Sequence, residues 1–85
     1  MADLYVSDLI VPVEDPVEII IDRVSLEDRV ALEVSKYSAQ DQFVEKLIPP
    51  VTYVENSIED KTRIRVFLKE GQLANGEKIQ VKLSN

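Results

Sequence analysis

Carboxylates stand side by side at Glu14-Asp15, Glu27-Asp28 and Glu59-Asp60, and Ser35 and Ser38 lie near Lys36 and Lys46. Hydrolytic sites are built from such residue types. A glycosidase holds two carboxyl groups across a substrate cleft. A Ser–Lys dyad uses the amine to activate a hydroxyl. Spacing carries neither pattern further here. Each acidic pair sits beside proline or polar residues in a stretch that reads as a turn, where short acidic side chains bond to nearby backbone. An 85-residue chain also leaves little room for a cleft and its walls. No Asp-x-Asp-x-Asp-Gly run is present to make a calcium loop.

The missing residue types exclude more. The chain has no Cys, no His and no Trp. It therefore has no disulfide framework, no thiol nucleophile and no imidazole base. Zinc, haem and iron–sulfur clusters lose their usual ligands. Two glycines, Gly71 and Gly76, cannot build a phosphate-cradling loop. The expectation is a non-catalytic protein with no cofactor, no metal and no small-molecule substrate.

Charge is the strongest remaining signal. Sixteen acidic residues face ten basic ones, for a net of −6. Residues 1–60 hold 14 acidic and 4 basic residues, a net of −10, whereas residues 61–85 hold 2 and 6, a net of +4. Within that last stretch Arg63, Arg65 and Lys69 alternate with Ile64, Val66 and Leu68, and Lys78 and Lys82 alternate with Ile79, Val81 and Leu83. On two paired strands these cations would form one basic ribbon with Phe67 in its middle. The plain reading is a solvated face that keeps the protein soluble and deters edge pairing. The sharper reading makes Arg63, Arg65, Phe67, Lys69, Lys78 and Lys82 a partner-binding surface. Opposed acidic and basic regions suit head-to-tail contact between copies. Phe67 and Tyr53 could also form a base-stacking platform, but a net charge of −6 repels phosphate. Protein partners are expected, and nucleic acid is not.

These residues must be positioned by strands. Val17 to Val24 reads as a strand, with Val17, Ile19 and Ile21 on one face and three consecutive β-branched isoleucines. Residues 29–37 alternate Val30, Leu32 and Val34 with Ala31, Glu33 and Ser35, which favours a strand. A helical stripe through Leu26, Val30, Val34 and Tyr37 is the alternative. Residues 38–48 are either a helix capped by Ser38 or a turn followed by a strand from Phe43 to Ile48, and Pro49-Pro50 ends either element. Residues 51–58 read as a strand, with Val51, Tyr53 and Val54 as its candidates for burial. Arg63–Lys69 and Lys78–Leu83 alternate most cleanly. Asn75-Gly76 between them favours the positive φ of a tight turn, so an antiparallel hairpin is predicted.

About six or seven short strands at regular spacing predict an all-β fold, a small antiparallel β-sandwich, with room for one short helix within 25–48. Arg63 to Leu83, a quarter of the chain, resembles the last two strands of an immunoglobulin-like sandwich. The domain is expected over 17–85. Residues 1–16 form an edge strand over Val6–Val13 or an arm that lies on a neighbour.

The acidic start lacks the basic n-region and apolar h-region of a signal peptide, and no apolar run approaches the length of a membrane span. A soluble protein made in the cytoplasm is expected. The function expected is a structural assembly subunit, most simply an accessory part of a virus or bacteriophage particle such as a capsid decoration or a neck, tail or baseplate element. In that case the protein resides in the virion. A cytoplasmic adaptor or regulatory binding module is the alternative, and a small nucleic-acid-binding β-barrel comes third.

Overall fold

The computed structural model describes residues 3–24, 30–47, 51–56 and 59–84. The described chain is all strand and connection: β1 (Asp3–Val6), β2 (Val17–Asp22), β3 (Ala31–Tyr37), β4 (Phe43–Leu47), β5 (Val51–Asn56), β6 (Lys61–Phe67) and β7 (Lys78–Ser84). They form two antiparallel sheets. Sheet A has the order β1-β7-β3-β4, and sheet B has the order β2-β6-β5.

Period-two alternation sets which side chains meet between the sheets. Sheet B contributes Val17, Ile64 and Val66, and sheet A contributes Val34, Ile79, Val81 and Leu83; these seven form one buried cluster. Ile19 and Ile21 of β2 and Val54 of β5 pack against it from beside β6. The central strand of sheet B and β7 of sheet A therefore carry most of the core, and the outer strands of each sheet line it. This is the small β-sandwich that the strand spacing predicts.

Three sequence readings are corrected or decided. β6 and β7 are not a hairpin. β6 pairs with β2 and β5, while β7 pairs with β1 and β3 in the other sheet. In an immunoglobulin-like domain the last two strands are neighbours in one sheet, and here they lie in different sheets. Alternation in each strand reports only that one face is buried, and both faces are buried against each other. The connection of residues 68–77 is long enough to cross between sheets. It consists of two successive tight turns, in which Gln72 N–H donates to Lys69 O at 3.1 Å and Glu77 N–H to Ala74 O at 3.1 Å. Gly71 and Gly76 take φ of +83° and +88° in these turns, a region open to glycine. Asn75-Gly76 does make a turn, but not a hairpin turn.

The second concerns 25–48, where, among the described residues, the strand favoured for 29–37 is found and the helical alternatives are not. Within the described residues this stretch is a β-hairpin of β3 and β4 with no helix; residues 25–29 and 48 lie outside the described residues. Ser38 shapes the turn. Its N–H donates to Gln42 O (2.8 Å), its carbonyl accepts from Asp41 N–H (2.9 Å), and its Oγ accepts from the N–H groups of Gln40 and Gln42 (both 3.2 Å). A serine that could cap a helix instead closes a turn, because its hydroxyl satisfies the same kind of free backbone donors.

The third concerns strand extents and faces. The first strand is Asp3–Val6, and it lies on its own domain against β7. Beyond Val6 the chain stays bonded to β7 at Ser7 and touches it again by a bridge from Ile10 to Ile79. Buried Ser7 bonds to β7 through both backbone and side chain: its N–H donates to Val81 O, and its Oγ accepts from Val81 N–H, each at 2.9 Å. In β5, Val54 stands opposite Ile64 and packs on the core, whereas Tyr53 stands opposite Arg65 and is 57% exposed.

Candidate functional site

The expected basic ribbon is split by the topology. Arg63, Arg65 and Phe67 lie on the outer face of sheet B, and Lys78 and Lys82 lie on the outer face of sheet A, with the core between them. Lys69 follows β6 in the turn of residues 69–72, where its N–H is held by the Gln72 side chain. The six residues therefore do not form one surface. Their cations are also largely engaged within the chain.

On sheet B, Glu18 of β2 accepts from Arg65 Nε at 3.1 Å and lies 3.8 Å from Arg63 Nε. Glu55 of β5 lies 3.8 Å from the other side of the Arg63 guanidinium. Lys61 donates to Asp22 at 2.8 Å. That hydrogen bond, reinforced by the charge of Lys61, pulls the Asp22 carboxyl below the ordinary aspartate range. The same bond and charge in reverse raise the Lys61 ammonium. Tyr53 and Phe67 meet edge to face, with ring centroids 6.0 Å apart. The outer face of sheet B thus has a basic middle strand flanked by acidic residues on both edge strands.

Sheet A is arranged differently. Lys82 of β7 lies 3.5 Å from Asp3 of β1 and stands directly opposite Glu33 of β3. Glu33 lies 3.4 Å from Lys46 of β4. Across the four strands the charges run negative, positive, negative, positive. Cross-strand opposite charges each favour the pairing by a few tenths of a kcal/mol. Lys78 is joined to Asp41 of the β3–β4 turn. Beside the row, Tyr37 and Phe43 meet edge to face at 5.8 Å, and the Tyr37 hydroxyl donates to Gln80 at 3.3 Å.

Among the described residues no further strand covers the edges of sheet A, and both edges are partly apolar. Four of the five residues of β4 are exposed, including Phe43 at 59% and Val44 at 46%, and β1 exposes Val6 at 46%. In the sequence Lys46 stands out only beside the serines, Val6 and Phe43 only as strand ends and Glu33 only within an alternation, and nothing there places any of these, or Asp3, on a contact surface. Glu33 and Lys46 flank the Ser38–Gln42 turn and become neighbours once that hairpin is recognised. Asp3 and Lys82 lie at opposite ends of the chain, and no local pattern joins them.

Of the hydrolytic candidates, Ser35 and Lys46 come together as cross-strand partners on the outer face of sheet A, where Lys46 is engaged by Glu33 at 3.4 Å, and the others are dispersed. Lys36 reaches Gln72 O at 3.3 Å and lies between Glu45 (3.4 Å) and Glu77 (3.9 Å), while the Ser38 hydroxyl is held by its own turn. Glu14-Asp15 lies in an exposed bend before Pro16, and Asp60 pairs with Arg23 at 3.1 Å; Glu27-Asp28 lies outside the described residues. Among the described residues no group of three potential metal ligands comes together, and no helix is long and apolar enough to cross a membrane.

Compared with known protein families, curated proteins and solved structures, the chain matches none.

Proposed function

We propose that this protein is a non-catalytic structural subunit that works by protein–protein contact, as an accessory element of a virus or bacteriophage particle does. The observation that carries this reading is the edge of sheet A, where β4 exposes Phe43 and Val44 and pairs with no further strand among the described residues. A free strand edge is a template for another strand. An apolar edge on so small a domain gains from being covered, since a core of this size rarely supplies more than a few kcal/mol by itself. The pairing of most surface cations within the chain also leaves little for a phosphate backbone to neutralise, which supports protein contact over nucleic acid.

Light scattering behind size exclusion, at rising protein concentration and at low and high salt, tests the reading. Mass should increase with concentration. A strict monomer throughout would overturn self-assembly and leave an adaptor that docks a foreign partner.

A further inference from the structure

We propose that copies join head to tail through sheet A, with β1 of one copy adding to β4 of the next. The inference rests on the assembly reading above and names its interface. Three observations converge on it.

The first is charge. The row across sheet A begins with Asp3 on one edge and ends with Lys46 on the other. A second copy placed edge to edge continues the alternation, with its Asp3 beside the first copy's Lys46. The second is direction. Neighbouring strands in sheet A are all antiparallel. Copies in the same orientation therefore bring β1 against β4 antiparallel, and the sheet continues unbroken.

The third is register. β1 carries an irregularity between Asp3 and Tyr5 relative to β7, so Asp3 and Val6 both face outward although three residues apart. β4 carries one extra residue relative to β3, between the partners of Lys36 and Tyr37, so Phe43 and Lys46 also both face outward although three apart. The two edges are thus interrupted with the same spacing. The antiparallel register that sets Asp3 beside Lys46 sets Val6 beside Phe43, charge against charge and apolar against apolar. A bulge normally spoils edge pairing; matched bulges admit one register and reject others.

Symmetric alternatives fit less well. Two β4 strands paired over the same four residues set Phe43 against Lys46, and two β1 strands set Asp3 against Val6. Heterologous contact is favoured, and such contact builds rings or filaments rather than closed dimers.

The test uses Val6→Lys, which spoils the β1 edge, and Phe43→Lys, which spoils the β4 edge. Both sites are exposed, and circular dichroism checks that each variant folds. Sedimentation velocity of each variant alone should show self-association weakened at least about tenfold relative to wild type. Mixing the two leaves one intact β4 and one intact β1, so the mixture should form a 1:1 complex and stop there. Wild-type association retained by both variants would overturn this interface while leaving assembly standing. A wild type that never associates would overturn both. Loss in Phe43→Lys alone would indicate a symmetric β4 contact and overturn the head-to-tail form.

Discussion

Sheet A and sheet B press alternate residues into the same core, yet their outer faces end differently. Sheet B runs from Glu18 and Asp22 on β2, through Lys61, Arg63 and Arg65 on β6, to Glu55 on β5. Both of its edges are acidic, so two copies meeting there bring like charges together. Sheet A runs from Asp3 to Lys46, and its ends attract. An odd number of alternating strands closes the charge pattern on itself, whereas an even number leaves it open. The difference between a three-stranded and a four-stranded sheet thus separates a face satisfied within one chain from a face that can continue into another.

The largest perturbation abolishes the comparison by removing the core beneath both sheets. Ile64 is fully buried at the centre of sheet B, and Ile64→Ala should cost about 2–5 kcal/mol. A domain of this size has a total stability of about 4–13 kcal/mol. Urea unfolding should place this variant near the edge of folding. A loss under 1 kcal/mol would contradict the packing described.

The next effect is confined to one end of sheet B. Buried Thr62 accepts from Val24 N–H at 3.0 Å and donates to Asn56 Oδ1 at 2.7 Å, and Asn56 Nδ2 donates to Val24 O at 3.3 Å. Thr62→Val keeps the shape but strands these groups. It should cost about 1–3 kcal/mol, read as a lowered urea midpoint with unchanged mass in solution. Sheet A's counterpart is Ser7→Ala, which strips the Val81 N–H of its hydroxyl acceptor.

Smaller still, and most useful for separating the faces, are the surface charges. Glu18→Gln on sheet B and Lys46→Glu on sheet A should each change stability by at most about 1 kcal/mol, because these pairs are partly solvated. Their effects on association should diverge. Glu18→Gln should leave self-association unchanged, and Lys46→Glu should weaken it. Equal effects on association would remove the distinction between the sheets.

The smallest effect is a pH dependence. Because Asp22 is held below its ordinary range by Lys61, its contribution is present above the ordinary aspartate value of about 4. It is lost as pH falls through the lower folded value. Lys61 mirrors this: its contribution is present at neutral pH and is lost as pH rises through its raised folded value. Melting temperature should therefore fall more steeply with acid in the wild type than in Asp22→Asn, and identical slopes would rule the pair out as a contributor.

The strands were largely legible in the sequence because period-two alternation is local. Ile19 and Ile21, Val34, and Ile64 with Val66 all face where that alternation puts them. Sheet membership was not legible. Val66 and Val81 carry the same pattern whether their strands pair side by side or pack face to face, and only the whole fold decides. The basic ribbon failed for that reason. Its residues were assigned to the correct faces of their own strands, but the strands belong to different sheets. The open edges were hidden differently: nothing in residues 43–47 says that β4 lies at the edge of its sheet, so the exposure of Phe43 follows only from the strand order.

In the proposed head-to-tail arrangement Val6 of one copy meets Phe43 of another. The chain has no cysteine, so a Val6→Cys/Phe43→Cys double variant can be trapped cleanly by mild oxidation. Within one chain β1 and β4 are separated by the two strands between them, about 14 Å, too far for an internal disulfide. The account predicts a ladder of dimers, trimers and larger disulfide-linked species on a non-reducing gel, with neither single-cysteine variant extending beyond a dimer. A double variant that stays monomeric, or that stops at the dimer the single variants also give, would contradict it.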